Sequence, residues 1–180
     1  MRGANRMRPH DAAAVQLRAL VAGDLGWVIA RHGVLYAQEY GFDQRFEALV
    51  ARLAADYVDR LDPACENAWI ADFEGQALGC VFVVRSRDEA NDEPLVGVAQ
   101  LRLLLVEPQA RGLGLGRRLT DRCEQFARQA GYARMRLWTN QSLSAARAIY
   151  RTSGYQLLAS EPHESFGNHQ VGEVWEKALT

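Results

Sequence analysis

One segment of this sequence constrains the fold more than any other: a long apolar strand runs into three closely spaced glycines and then into a helix. The strand is predicted over Val96–Val106, the glycines are Gly112, Gly114 and Gly116, and the helix ends at Gly131. Such a joint points several backbone N–H groups to one side and adds the positive end of a helix dipole. The sequence therefore predicts an anion-binding site at a strand-to-helix connection.

The rest of the chain predicts elements in the order β-α-α-β-β-β-α-β-α-β-β, which makes a mixed α/β sheet with helices on both faces. The first helix is capped by Asp24, with a break at Gly33 and an end at Gly41, and the second runs from Asp43 to Pro63. Apolar and alternating runs predict seven strands and one short helix: Val15–Leu20, Ala68–Phe73, Ala77–Val84, Val96–Val106, Met135–Thr139, helix Ser144–Ser153, Tyr155–Leu158 and Val171–Leu179.

Length and composition predict one globular domain. The chain has 180 residues, 48% of them hydrophobic, which is enough for a single core, and no Pro/Gly-rich linker divides it. We expect residues 1–13 to form a disordered lead and residues 14–180 to form one domain. No apolar run approaches the roughly 20 residues of a membrane helix, and the start lacks a signal-peptide core, so we expect a soluble cytoplasmic protein without membrane contact.

Charge and cysteine content argue against several other classes of protein. A net charge of -1 gives no electrostatic reason to expect nucleic acid. Three cysteines are odd in number and far apart, which fits neither a disulfide framework nor a zinc knuckle. The segment from Glu161 to His169 contains two histidines but not the H-E-x-x-H spacing, so we expect no metal.

Two common phosphate-binding motifs do not fit the glycine segment. A dinucleotide fingerprint needs glycine where Arg117 stands, and a P-loop needs Lys and Ser or Thr where Arg117 and Arg118 stand. The spacing Gln109-x-x-Gly112-x-Gly114 instead resembles the Q/R-x-x-G-x-G/A signature of GNAT superfamily N-acetyltransferases. In that family the glycine loop holds the pyrophosphate of coenzyme A.

The segments that follow the loop extend this resemblance over residues 66–180. The family has a strand, a short helix with an alanine and a tyrosine one turn apart, and a Gly-aromatic pair, and the counterparts here are Met135–Thr139, Ala146 with Tyr150, and Gly154-Tyr155. The resemblance implies a mixed, mostly antiparallel sheet with helices on both faces. A closer resemblance, to the acetyltransferase half of MarR-type regulator/GNAT fusions, is carried by three segments: Arg31–Gly41, Leu137–Asn140 and Glu161–Gly167. We expect the catalytic domain alone, without the DNA role of those fusions.

The resemblance implies acetyl-CoA as the acyl donor, with backbone groups between Leu103 and Val106 holding its pantetheine arm and supplying an oxyanion donor. Arg111, Arg117 and Arg118 are expected to supply countercharge. The predicted cofactor-binding residues are Leu104, Leu105, Val106, Gln109, Arg111, Gly112, Leu113, Gly114, Leu115, Gly116, Arg117, Asn140, Ala146 and Tyr150. Many family members have asparagine where Leu143 stands, so Asn140 or Ser142 is expected to make the missing polar contact.

The catalytic residues predicted from the same resemblance are Tyr150, Glu39 and His163. Tyr150 matches the family tyrosine that returns a proton to the departing thiolate. The general base is left open among Glu39, His32 and His163, with water as a further relay, because the strand that carries a glutamate in several relatives presents Gln100 and Arg102 here.

The acceptor site is predicted at His32, Tyr36, Glu39, Tyr40 and Phe166, which fall in the segments that cover the acceptor side in this fold. The leading hypothesis is transfer of an acetyl group to a primary amine of a small molecule or peptide, by direct attack on the thioester. The alternatives are a non-catalytic acyl-CoA sensor and an acyltransferase with another donor or a hydroxyl acceptor. The resemblance also implies a homodimer.

Overall fold

The computed structural model describes residues 7–179, which form one seven-stranded sheet flanked by helices. The helices are α1 (Pro9–Ala14), α2 (Asp24–Tyr40), α3 (Gln44–Arg60), α4 (Leu115–Gln129) and α5 (Ser144–Thr152). The strands are β1 (Gln16–Arg18), β2 (Asn67–Phe73), β3 (Gln76–Arg87), β4 (Pro94–Val106), β5 (Arg134–Asn140), β6 (Gln156–His163) and β7 (Gln170–Ala178), and Pro108–Ala110 forms a 3₁₀ turn.

The strand order is β1-β2-β3-β4-β5-β7-β6, and every neighbouring pair is antiparallel except β4 and β5. The parallel pair is joined by α4, as a crossover between parallel strands requires. The predicted α/β fold with a mixed, mostly antiparallel sheet is therefore confirmed.

Helices cover both faces of the sheet and enclose two apolar cores. On one face, Val28 and Leu35 of α2 and Phe46 and Val50 of α3 pack against Phe82 and its neighbours on the sheet. The other face carries α4 and α5, whose buried residues include Leu119, Cys123, Ala127 and Tyr150. The sheet is buried between these layers, and its edges and strand ends are left for a site.

The central strands β4 and β5 pair over only four residues before they separate. Their register runs from Val98 opposite Arg134 to Leu101 opposite Leu137, and no pairing follows. Just beyond this point β4 contains a bulge, where Leu103 adopts a left-handed φ of 52° and the register with β3 shifts. The β5-facing backbone groups of residues 102–106 are thus left without a strand partner.

The structure corrects two details of the first predicted helix. Helix α2 is continuous through Gly33 and packs there against α3: a Cβ would lie 2.9 Å from Cδ of the exposed Glu47 side chain. Asp24 is the first helical residue rather than the N-cap, which is Gly23. The Asp24 carboxylate instead accepts hydrogen bonds from Val21 N–H at 2.7 Å and from Arg18.

The N-terminal lead also differs from expectation. Part of the segment expected to be disordered is helical, since α1 covers Pro9–Ala14, and residues 1–6 lie outside the described part. Arg118 holds the end of this helix, since its guanidinium donates to the carbonyls of Ala12 at 2.7 Å and Val15 at 2.8 Å.

Toward the C-terminus, β6 continues beyond the predicted Leu158 to His163 because it pairs with β7.

The continuity of α2 predicts that Gly33→Ala raises the free energy of unfolding. Alanine is favoured over glycine within a helix by about 1 kcal/mol, and the obstructing Glu47 side chain is exposed and free to turn away. Urea unfolding should therefore show a gain of up to about 1 kcal/mol. The control is Gly41→Ala at the left-handed C-cap, φ 70°, which should lose about 1 kcal/mol. A loss in Gly33→Ala as large as in the control would contradict this account.

Candidate active site

The glycine segment forms an open helix N-terminus of the kind that binds anions. Gly112 and Gly114 have φ of 77° and 75°, values that side chains rarely adopt, and Gly114 is the N-cap of α4. No side chain caps this helix, so its first N–H groups remain available. A Cβ at Gly114 would meet nothing within 4 Å, which shows that the loop borders open space. That space is a cavity of about 370 Å³.

The three arginines near this loop make protein contacts that the sequence did not reveal. Arg111 donates from both terminal nitrogens to the Glu39 carboxylate, at 2.9 and 2.8 Å, and from Nε to the Val106 carbonyl at 3.0 Å. Arg117 forms an exposed i,i+4 pair with Asp121 at 3.1 Å. Arg118 is the side chain that anchors α1 and lines neither cavity described here. The positive charge that was expected to balance a bound anion is therefore largely engaged by other groups of the protein.

A second cavity of about 650 Å³ lies between the sheet and α3. Its walls come from α2, α3, the exposed end of β5, α5 and the loop between β6 and β7. Aromatic side chains form much of the wall: Tyr36 stacks on Phe46 with ring centroids 4.5 Å apart, and Phe166 packs edge-on against Phe46 at 5.1 Å. Trp138 contributes from β5. This cavity fits an organic molecule with an apolar body.

The two cavities meet where β4 and β5 separate. They share four lining residues, namely Tyr36, Leu104, Leu143 and Ala146. One cavity reaches the open N-terminus of α4 and the other reaches the aromatic wall. An anionic ligand held at the glycine loop can therefore extend between the strands and present its far end to a second ligand.

Tyr150 lies on α5 at this junction and faces the larger cavity. It is 4% exposed, and its ring packs against Tyr155 with centroids 5.8 Å apart. Burial raises the pKa of Tyr150, and the nearby Cys123 contributes in the same direction. The phenol is therefore protonated throughout the neutral range and can act as a proton donor.

His32 is brought to the same cavity in a neutral form. It is 1% exposed, and its Nδ1 donates to the Val28 carbonyl at 2.8 Å. Its Nε2 is buried and has no hydrogen-bond partner within residues 7–179. Burial lowers the pKa of His32 to about 4. A buried imidazole of such low pKa is a poor acceptor for the proton of an ammonium group.

His163 and Asn140 form a hydrogen-bonded pair at the edge of the larger cavity. The Ser165 N–H donates to Nδ1 of His163 at 3.3 Å, so Nε2 carries the proton and donates to Oδ1 of Asn140 at 2.7 Å. Asn140 lines the cavity, whereas His163 does not. Both ring nitrogens of His163 are thus occupied, and the imidazole orients the Asn140 amide rather than facing a ligand.

Glu39 lies on the cofactor side of the junction and not in the aromatic cavity. Its carboxylate is held by the two terminal nitrogens of Arg111. Tyr40, which follows Glu39, also lines the smaller cavity. The expectation that Glu39 and Tyr40 contact the acceptor is therefore not supported by their positions, because the C-terminal turn of α2 packs toward the glycine loop.

Most of the predicted site residues do lie together. The larger cavity contains His32, Tyr36, Leu104, Asn140, Ala146, Tyr150 and Phe166. The smaller cavity contains Tyr36, Glu39, Tyr40, Leu104, Leu105, Val106, Arg111, Gly112, Gly114, Leu115, Gly116, Arg117 and Ala146. Gln109, Leu113 and His163 line neither cavity.

Sequence reasoning missed several lining residues, among them Leu143, Ile149, Trp138 and Arg102. Leu143 and Ile149 could have been found from the helical spacing that places them beside Ala146. Trp138 stands at the end of a strand next to Asn140, where a side chain borders any opening in the sheet. Arg102 was noticed only as a departure from the family pattern.

The described residues 7–179 contain neither a candidate metal site nor a candidate membrane-spanning helix. No three or more histidine, cysteine, aspartate or glutamate side chains in this range are grouped so that they could hold a metal ion. No helix in the same range has both the length and the apolar character needed to cross a membrane.

The open helix N-terminus and the two meeting cavities suit a transfer between two ligands, and comparison with known proteins gives the family. A model described as the Acetyltransferase (GNAT) family matches residues 29–155, which is more than half of the chain. The chain therefore belongs to this family and is an N-acetyltransferase. An uncharacterized N-acetyltransferase of Schizosaccharomyces pombe is 31% identical over 135 residues, covering 74% of this chain and 77% of that protein.

Solved structures have the same fold at low sequence identity. A ribosomal-protein-alanine N-acetyltransferase from Brucella melitensis has a TM-score of 0.70 and 18% identity, and the match covers 91% of this chain and 99% of the other. A putative acetyltransferase from Salmonella typhimurium, solved with its cofactor acetyl-CoA, has a TM-score of 0.69 and 19% identity over 93% and 95% of the two chains.

The buried neutral His32 predicts a specific loss of stability in mild acid. Because its pKa in the folded protein is lowered to about 4 from an ordinary value near 6.5, only the unfolded chain gains a proton between these values. The free energy of unfolding should therefore fall by about 2 kcal/mol from pH 7 to pH 5 on account of this residue. His32→Phe should remove that part of the pH dependence in urea titrations. An equal pH dependence in both proteins would show that His32 is protonated in the folded state.

Proposed function

We propose that this protein transfers an acetyl group from acetyl-CoA to a primary amine of a small molecule or peptide, by direct attack of the amine on the thioester. The nitrogen forms a bond to the carbonyl carbon, the carbon–sulfur bond breaks, and the amine loses one proton while the thiolate gains one. The observation that carries the proposal is the meeting of the two cavities beside Tyr150, where β4 and β5 part.

Coenzyme A fits the smaller cavity by its chemistry. The first N–H groups of α4 lack a side-chain cap, and Gly114 borders open space, so a pyrophosphate has donors and room there. Arg117 lines this cavity and is exposed, which leaves it able to turn from Asp121 to a phosphate. When bound, acetyl-CoA supplies the activated acyl group. Unpaired backbone groups of β4 after Leu101 would hold its arm and donate to the developing oxyanion.

Tyr150 is the proposed general acid. It sits at the junction, its buried phenol remains protonated, and the departing thiolate is itself buried and therefore a stronger base than in water. Proton return from phenol to thiolate completes release of the thiol. Leu104 and Ala146, which line both cavities, supply the apolar surroundings that exclude water from this step.

The proton of the amine is proposed to leave through water. Each candidate base is otherwise engaged: Glu39 by Arg111, His163 by Asn140 and Ser165, while His32 is buried with a low pKa. The amine then reacts in its neutral form. On this account kcat/KM rises with pH up to the pKa of the amine rather than following a histidine.

Several finer expectations remain predictions alongside this proposal. They are the cytoplasmic location, the homodimer, residues 14–180 as one domain, the absence of metal and nucleic acid, and the closer resemblance to the acetyltransferase half of MarR-type fusions. The alternative of a non-catalytic acyl-CoA sensor is separated from the enzyme by one assay. A sensor binds acetyl-CoA without releasing thiol in the presence of any amine.

Gly114→Glu tests the position of the cofactor. The substitution forces a side chain into a left-handed residue and places a negative charge at the helix N-terminus, so calorimetry should show coenzyme A affinity reduced by at least about tenfold. The control is Gly131→Glu, which has φ of 84° and open space at the other end of the same helix. It should fold and bind coenzyme A as the wild type does. Equal binding by both variants would place the cofactor elsewhere.

Tyr150→Phe tests the general acid. Phenylalanine keeps the packed ring, so the fold and coenzyme A affinity should be preserved, while the rate of the chemical step falls by roughly 10²–10⁴-fold. The measurement is single-turnover thiol release at saturating amine. Tyr155→Phe is the matched control, because that tyrosine touches Tyr150 but lines neither cavity. A chemical step as fast in Tyr150→Phe as in the control would make Tyr150 a packing residue only.

A further inference from the structure

Arg102 is a cation inside the larger cavity, and no carboxylate of the described residues forms an ion pair with it. It stands on β4 opposite Phe82 of β3, on the face covered by α2 and α3, and its side chain is partly buried. Its Nη2 donates to the side-chain oxygen of Gln100 at 2.9 Å. Within residues 7–179, no aspartate or glutamate oxygen lies within 4.0 Å of its guanidinium nitrogens.

This arrangement is unfavourable for the empty protein. Burial lowers the pKa of Arg102, which shows that the charge is poorly solvated, yet an arginine stays charged at neutral pH. Partly buried cations are normally paired with a carboxylate or given several acceptors. Arg102 has one neutral acceptor, Gln100. The remaining guanidinium donors are thus open to an anion that arrives from outside.

The charged groups around Arg102 leave the cavity with excess positive charge. Asp56 and Asp92 are the acidic groups that act to raise the pKa of Arg102. Asp92 is already bound by Arg60 at 2.8 Å. Arg87 also lies near Asp92, and it donates to the Asp92 carbonyl at 2.7 Å. Neither aspartate makes an ion pair with Arg102.

Two other arginines and one glutamate line the same cavity, at or near its rim. Arg45 is neutralised by the Asp43 carboxylate at 2.7 Å. Arg52 and Glu89 are both exposed and make no ion pair within the described residues. Their opposite charges offset each other at the opening, which leaves Arg102 as the unneutralised charge farther in.

We propose that Arg102 binds an anionic group of the acceptor, so that the natural substrates are amines that also carry a carboxylate, as amino acids do. This inference rests on the proposed function and names the substrate class for the same site. A guanidinium presents paired donors that match a carboxylate. A plain alkylamine, which enters as a cation, is repelled by Arg102 and leaves its donors unpaired.

The position of Arg102 on β4 limits the size of the substrate. Leu104, which lies at the junction of the cavities, is two residues beyond Arg102, with the bulge at Leu103 between them. We therefore expect the amine and the carboxylate of the substrate to be separated by a few bonds only. The apolar body between or beside them can pack on Phe46, Leu49 and Leu53. Apolar amino acids meet these requirements.

The test compares amines that differ only in the carboxylate: L-phenylalanine with 2-phenylethylamine, and L-leucine with 3-methylbutylamine. With acetyl-CoA and the full chain, kcat/KM for the amino acid should exceed that for its partner by roughly 10–100-fold, the range expected for a hydrogen-bonded charge pair. In Arg102→Met this preference should disappear, because the paired donors for the carboxylate are lost. Arg102→Lys should keep part of it, since the charge remains without the paired donors.

Two further readouts make the outcome decisive. Arg45→Met is the control, because it removes a neutralised arginine from the same cavity and should keep the preference. The melting temperature of Arg102→Met should be no lower than that of the wild type, since an unpaired charge is removed. A lower melting temperature with an unchanged preference would make Arg102 structural and overturn the inference.

The assay also separates failure of this inference from failure of the proposed function. If 2-phenylethylamine and 3-methylbutylamine are acetylated as well as the amino acids, Arg102 does not select an anion, and transfer to amines still stands. If acetyl-CoA binds but no member of either pair is acetylated, the inference is wrong and the proposed function loses its support as well.

Discussion

The separation of β4 and β5 is the constraint on which the rest of the site depends. The two strands pair through Leu101 and Leu137 and then part, which leaves backbone donors and acceptors in the middle of a sheet without partners. Unpaired backbone groups at such a position are costly unless a ligand or water satisfies them. The bulge at Leu103, with its left-handed φ, fixes the point of separation on β4. Helix α5 then closes one side of the gap, and this is how Tyr150 comes to the junction of the two cavities.

The second constraint is the uncapped N-terminus of α4. Its N-cap is glycine, so the helix dipole and free N–H groups face the cavity without a side chain to satisfy them. The nearby arginines do not replace that function, because Arg111 and Arg118 are held by Glu39 and by the backbone of residues 12–15. Anion binding at this loop therefore depends on the backbone more than on side-chain charge. Arg111 has a different effect, since it ties the end of α2 to the loop.

The sequence was sufficient for the features that are local. Glycine spacing and the apolar strand before it predicted the loop, and together with the Ala146–Tyr150 pair they indicated the fold that is confirmed. Features that depend on distant partners were not predictable in this way. From the sequence alone, Gly33 predicts a helix break, whereas in the structure α2 continues through it and packs against α3. Likewise Glu39 is predicted to be a site carboxylate, whereas in the structure it is bound by Arg111, 72 residues away. The same applies to His163, whose role is set by Asn140.

The proposed acceptor cavity joins two observations that look unrelated: Glu39, His163 and His32 are each engaged or buried, and Arg102 has no carboxylate partner among the described residues. A carboxylate close to an amine stabilises its ammonium form and so raises its pKa. If that carboxylate is bound by Arg102, its charge is neutralised and the pKa of the amine falls. A lower amine pKa increases the neutral fraction at a given pH, and water can then remove the proton without a dedicated base. On the proposal made above, a positively charged residue on β4, where the family resemblance implies a glutamate base in several relatives, makes the substrate easier to deprotonate instead of deprotonating it.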